Sequence, residues 1–132
     1  MTSVTHLNPE GLSVNPGFSQ AVKVSGPGSF VFIGGQNGVG ADGSIEDDAG
    51  AQTRQALRNV ELAVAAAGGS LADVVNWTIS VTHPAALAAG FAAFRQCWGD
   101  RPDPPALSVQ VVAGLANARF LVEIDAVAAI AS

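Results

Sequence analysis

Between positions 74 and 98 the apolar period changes from two to between three and four, which restricts the chain to a sheet with helices laid against it. Val75, Trp77, Ile79 and Val81 alternate with Asn76, Thr78 and Ser80, the pattern of a strand with one apolar face. Leu87, Phe91, Phe94 and Trp98 then recur at steps of four, three and four. They define a helix stripe that starts near Pro84, a residue favoured in a first turn, and reads as core rather than as a binding box. Gly99 and the run Arg101-Pro-Asp-Pro-Pro end that helix. Upstream, Thr53, Leu57, Val60, Val64 and Ala67 form a second stripe. Asp47 or Asp48 can cap this helix and Gly68-Gly69 can stop it. Arg54, Arg58 and Glu61 fall mostly off the stripe and read as a solvated face.

Four more strands are expected, at 21–25, 29–34, 107–113 and 119–128, the last two joined by a turn at 114–117. Gly26-Pro27-Gly28 reads as the connection of a hairpin between the first two. Phe30, Val31, Phe32 and Ile33 in succession make the second of these strands apolar on both faces, so both faces are expected to be buried. The run from Gly34 to Gly43 reads as loop, without phosphate-loop spacing. Turn formers at Asn8-Pro9, Gly11 and Asn15-Pro16-Gly17 make residues 1–17 an irregular arm, and 18–132 the folded domain. The order strand, strand, helix, strand, helix, strand, strand predicts an α+β domain with both helices on one face of a sheet. The other sheet face then requires partner chains, and a closed cyclic assembly would cover it.

Composition narrows the function. Hydrophobic residues are 48% of the 132 and charged ones 13%, an ordered chain whose sparse charge favours assembly. Six Lys plus Arg against eleven Asp plus Glu give a net charge of -5, and no basic stripe exists to follow a phosphate backbone, so nucleic acid is not an expected partner. A single cysteine, Cys97, excludes an intrachain disulfide and reads as a buried helix residue rather than a nucleophile. His6 and His83 stand apart from each other and from clustered carboxylates, so no metal site is expected. No leader pattern begins the chain and no apolar run reaches the ~18 residues of a membrane span. The expected setting is cytoplasmic, with no membrane partner.

Among the charged residues, Glu123 is flanked by Val122 and Ile124. On an internal strand such a carboxylate is partly buried, and either moves a proton or hydrogen-bonds a loop backbone. Arg119 lies four residues earlier, so on one strand the two project to the same face, with Leu121 and Asp125, about 13 Å apart. Arg119 can then contact an anion at a cleft edge, or simply pair with an exposed carboxylate.

Three segments carry a family resemblance. The first is Pro-Ala-Leu-Ser-Val-Gln-Val-Val-Ala-Gly-Leu at 105–115, with Phe-Leu-Val-Glu-Ile-Asp-Ala at 120–126. The second is Phe18-Ser-Gln-Ala-Val-Lys-Val with Phe32-Ile-Gly-Gly-Gln. The third is Ala51-Gln-Thr-Arg-Gln-Ala-Leu-Arg-Asn-Val, running into Gly68-Gly-Ser-Leu-Ala-Asp-Val-Val. Together they resemble the RidA family, also called YjgF or endoribonuclease L-PSP. The resemblance implies a chorismate-mutase-like fold, a homotrimer with sheets around a central barrel, and ligand clefts between adjacent subunits. It also implies hydrolysis of amino-acid-derived enamines and imines to ammonia and a 2-oxo acid, without a cofactor.

Carried over residue by residue, the family's cleft glycine is Gly35, its backbone contact on the next-to-last strand is Val109, and its water-orienting glutamate is Glu123. The family's tyrosine is Phe18 here, its helix asparagine is Phe91, and its carboxylate-gripping arginine falls on Leu107. Keeping Glu123 in register takes about one extra residue in the turn at 114–118. All three replacements lower the polarity of the cleft, and the lost guanidinium bonds would be worth about 1.5–3 kcal/mol each. The expected protein is therefore a RidA-like trimer in which Glu123 is catalytic. Phe18, Gly35, Phe91, Leu107, Val109 and Arg119 would bind a small metabolite less polar than usual, or uncharged. The alternative is a trimer that binds such a metabolite without turning it over.

Overall fold

The computed structural model describes residues 2–131, so Met1 and Ser132, the outer ends of the expected arm and domain, lie outside the described residues. Along the chain run β1 (Ser3–Leu7), β2 (Ala21–Ser25), β3 (Gly28–Gln36), α1 (Ala49–Ala66), a 3-10 turn (Leu71–Asp73), β4 (Val74–Val81), α2 (Ala86–Trp98), β5 (Ala106–Val111) and β6 (Val122–Ala131). The main sheet has the order β3-β6-β4-β5. β6 pairs antiparallel with β3 and β4, and β4 pairs parallel with β5 across the α2 crossover.

The core lies between this sheet and the two helices. Leu57, Val60 and Val64 of α1 are fully buried against Trp77 and Val81 of β4 and Val122, Ile124 and Ala128 of β6. Asp48 caps α1, its Oδ2 accepting from Ala51 N at 2.9 Å, a contact worth about 1 kcal/mol. The helix stops where Gly68 turns to φ 90°. From α2, Phe94 and Trp98 pack edge-on to Trp77, with centroids 4.9 and 5.8 Å away, while stacking on each other at 6°. Each such aromatic pair adds about 0.5–1.5 kcal/mol beyond its buried area.

Three expectations are corrected here. The arm is not wholly irregular: β1 pairs antiparallel with β2, Thr5 opposite Lys23, and makes a separate two-stranded sheet. That pairing also removes the expected hairpin, because β2 spends its ladder on β1 while β3 pairs with β6. Gly26-Pro27 therefore carries the chain from one sheet to the other. Of the apolar run in β3, Ile33 and, in part, Val31 reach the core, whereas Phe30 and Phe32, whose burial is expected of partner chains, are 58% and 78% exposed in one chain. Phe30 and Phe32 sit opposite Ala129 and Val127 on the sheet face that no helix covers.

The third correction concerns Arg119, which precedes β6 rather than lying on it. The buried amide of Gln52 holds the segment leading into β6 at Arg119 and Leu121. Its Oε1 accepts from Leu121 N at 2.8 Å, and its Nε2 donates to Arg119 O at 2.9 Å and Glu46 O at 2.7 Å. The Leu121 N–H and the Arg119 carbonyl are satisfied by this one side chain, while Leu121 O still accepts from Thr82 N at 3.1 Å and Asn117 serves the Arg119 and Phe120 N–H groups. The same-face relationship between Arg119 and Glu123 does not exist.

Candidate functional site

Phe18, Phe91, Leu107 and Val109 come together. With Asn15, Pro16, Gly17, Phe94 and Arg95 they line a cleft of about 550 Å³ between α2, β5 and the turn that ends the arm, a size suited to a small metabolite. Leu107 and Val109 are two apart on β5, opposite Trp77 and Ile79, so they point to the helix side of the sheet. Phe91 meets them from α2. The aromatic stripe thus divides: Phe94 and Trp98 are buried in the core, while Phe91 is half-buried and opens onto the cleft.

A polar clamp holds Phe18 there. Ser19 is buried, its hydroxyl donates to Pro104 O at 2.6 Å, and its N–H donates to Pro105 O at 3.1 Å. His6 Nδ1 lies 3.0 Å from Ser19 Oγ and 3.1 Å from Pro104 O. The β1 strand therefore ties the arm to the segment entering β5, and residues 15–18 close as a turn in which Asn15 Oδ1 accepts from Gly17 N at 2.7 Å.

Gly35 and Glu123 form a second patch. A Cβ built on Gly35 would stand 2.6 Å from Glu123 Oε1, so the glycine leaves the room that the carboxylate occupies. Asn37 Nδ2 donates to Val122 O at 3.2 Å and more weakly to Glu123 Oε1 at 3.4 Å. Glu123 stands opposite Ser80, and Asp125 opposite Thr78, on the face away from the helices. The sheet itself therefore separates Glu123 from Leu107 and Val109 of the same chain. Burial, followed by the neighbouring charge of Glu123, pushes the Asp125 carboxyl above its ordinary range.

Arg119 belongs to neither patch. Its guanidinium donates to Ile45 O at 2.7 Å and lies 3.4 Å from the exposed Asp47 carboxylate, the surface pairing left open by its sequence position. Cys97 is half-buried, and desolvation with some help from Glu61 pushes its thiol up, against the pull of Arg101. That is the setting of an inert thiol rather than a nucleophile.

Residues 10–130 match the family model described as Endoribonuclease L-PSP. The chain belongs to this family, the RidA or YjgF family. It is 34% identical over 131 residues, 97% of each chain, to a RutC family protein of Haemophilus influenzae. The crystal structure of YyfB from Yersinia pestis, a Rid family protein of unknown function, superposes with a TM-score of 0.84 at 35% identity, covering 96% of this chain and 98% of that one. The structure of E. coli TdcF with bound serine gives 0.74 at 30% identity, covering 90% and 91%. The two-helix, mixed-sheet architecture is thus the RidA fold expected from the sequence. No helix among the described residues is long and apolar enough to cross a membrane.

Relative to the RidA pattern, the cleft contains residues that sequence reading missed. Arg95 follows Phe91 by one helical turn, a spacing that puts both on one face and could have singled it out. Asn15, Pro16 and Gly17 read only as turn formers, because nothing local in them tells which element the turn will meet.

Proposed function

We propose that this RidA-family chain works as a homotrimer in which Glu123 of one copy faces the cleft of the next, and that the shared site hydrolyses a small imine or enamine. The observation that carries this reading is the placement of Glu123 and of Leu107 and Val109 on opposite faces of one sheet. A single copy cannot apply the carboxylate to a ligand held in its own cleft. A cyclic arrangement around the uncovered face, where Phe30 and Phe32 are exposed, brings one copy's patch to its neighbour and covers those rings.

The chemistry requires a held imine carbon, a water and a route for protons. Water adds to the C=N carbon while the Glu123 carboxylate accepts its proton. Nitrogen takes that proton back from Glu123 to give the carbinolamine; this collapses as its hydroxyl proton passes to nitrogen and the C–N bond breaks, so that ammonia leaves and the carbonyl product remains. Walls made by Phe18, Phe91, Leu107 and Val109 suit a substrate with a larger apolar body than an alanine-derived imine. The bound serine in E. coli TdcF supports an amino-acid-sized ligand for this fold.

The second reading is a trimer that binds such a metabolite without turnover, favoured by the leucine at position 107. The test is ammonia release from freshly generated 2-iminopropanoate and from a bulkier, leucine-derived imino acid, using wild type, Glu123→Ala and Leu107→Arg. Glu123-dependent release, faster with the bulkier substrate, is expected. Inactive wild type with activity gained in Leu107→Arg would establish the binding reading instead.

A further inference from the structure

We propose that Arg95 is the anion anchor of the cleft, so that the ligand is a small monocarboxylate with an apolar body, gripped from helix α2 rather than from strand β5. The inference rests on the reading of the cleft as a metabolite site and adds the residue that selects the ligand.

Arg95 is the only formally charged residue among those lining the cleft. It is exposed, and among the described residues its guanidinium makes no ion pair or side-chain hydrogen bond. Arg119 and Arg101 are different: the first is engaged with Ile45 O and Asp47, the second with the Cys97 and Trp98 carbonyls. Arg95 therefore keeps its fork of donors free at the cleft wall, and a planar guanidinium matches a carboxylate with two parallel hydrogen bonds.

Geometry places a second donor nearby. Asn15 lines the same cleft and its Oδ1 is committed to Gly17 N, which leaves its amide N–H groups without a protein partner among the described residues. The remaining walls are the rings of Phe18, Phe91 and Phe94 and the aliphatic groups of Leu107 and Val109. A cationic edge over an apolar floor fits an amphiphilic anion and disfavours a cation. In a chain of net charge -5 an anion is not attracted by the overall field, so its capture depends on a local positive group. The position of Arg95 in the last turn of α2 also offsets the helix dipole. That role depends on charge alone and predicts no ligand selectivity.

The experiment is calorimetric titration of the full-length protein with 4-methyl-2-oxopentanoate and with its uncharged amide, for wild type, Arg95→Met and Arg95→Lys. Wild type is expected to prefer the carboxylate by about tenfold or more. Arg95→Met is expected to lose that preference while binding the amide as wild type does, and Arg95→Lys to retain only part of it. Equal binding of the two probes to wild type, no binding of either, or carboxylate selectivity that survives in Arg95→Met would each overturn the proposal. These readouts need no turnover. Arg95-dependent selectivity in a protein that releases no ammonia sinks only the hydrolytic reading. Glu123-dependent release that is indifferent to Arg95→Met, in KM as well as kcat, sinks only the anchor.

Discussion

Gly35 and Glu123 are fitted to each other: the carboxylate oxygen lies 2.6 Å from where a Cβ on Gly35 would be. Gly35 does not adopt a positive φ, so alanine is tolerated by the backbone and the conflict falls on the flexible end of Glu123. Gly35→Ala should therefore displace the carboxylate without unfolding the chain. A thermal midpoint within about 3 °C of wild type is expected, together with a fall in ammonia release of about tenfold or more, part of the usual contribution of a positioned base. Unchanged turnover would remove Glu123 from the chemistry.

The two carboxylates on the uncovered face give a pH signature. Asp125 is raised above its ordinary value by burial and then by Glu123, so the folded state holds its proton more tightly than the unfolded state. By linkage, stability falls as pH rises through the window between the unfolded and the folded pKa of Asp125, and the penalty is complete above it. Asp125→Asn should consequently raise the thermal midpoint slightly at pH 7, with the gain disappearing as pH drops below the carboxylate range. Because Asp125 is largely exposed in one chain, the effect is small. A gain that persisted in acid would show that charge is not its origin.

The fold was legible where local pattern and tertiary need agree. The stripes of α1 and α2 and the alternation in β4 carry their own periodicity, and Asp48 and Gly68 carry their own capping chemistry. The hairpin misreading at Gly26-Pro27 arose because the sequence marks a turn but not the partner to which each flanking strand bonds. The placement of Arg119 could not be read from its neighbours, since the decisive group, Gln52, is 67 residues away and itself sits buried in a helix. In the cleft, Phe18, Leu107 and Val109 were reached through family resemblance rather than spacing. Arg95 escaped notice because a charge beside an aromatic stripe is ordinarily a solvated one.

Gln52 makes the loop before β6 a matter of stability. Its side chain is fully buried, with its amide bonded to the 46 and 119 carbonyls and to the Leu121 N–H. Leucine has nearly the same volume and none of these bonds, so Gln52→Leu leaves three part-buried backbone groups without their partner, each costing up to about 1–3 kcal/mol. A loss of at least about 2 kcal/mol is expected in urea unfolding. Faster amide exchange at Leu121 should accompany it, because the loop loses its tether. Wild-type stability would mean that water satisfies those groups as well as Gln52 does.

In the proposed trimer, assembly and catalysis would be tied by the position of the exposed rings. Phe30 and Phe32, 6.5 Å apart, occupy the uncovered face of the sheet that also carries Glu123. Burying a phenylalanine side chain stabilises by about 1.5–3 kcal/mol, and a carboxylate in its place against an apolar neighbour costs more than that gain. The double variant Phe30→Glu, Phe32→Glu should therefore sediment as a single chain while keeping its helical circular dichroism, since neither ring belongs to the core of one chain. Its ammonia release should fall with its mass, because Glu123 and the Leu107–Val109 cleft lie on opposite sheet faces and in the proposed trimer would meet only between copies. A monomeric variant with full turnover would require another group in the cleft to move the proton, and Glu123 would lose its role.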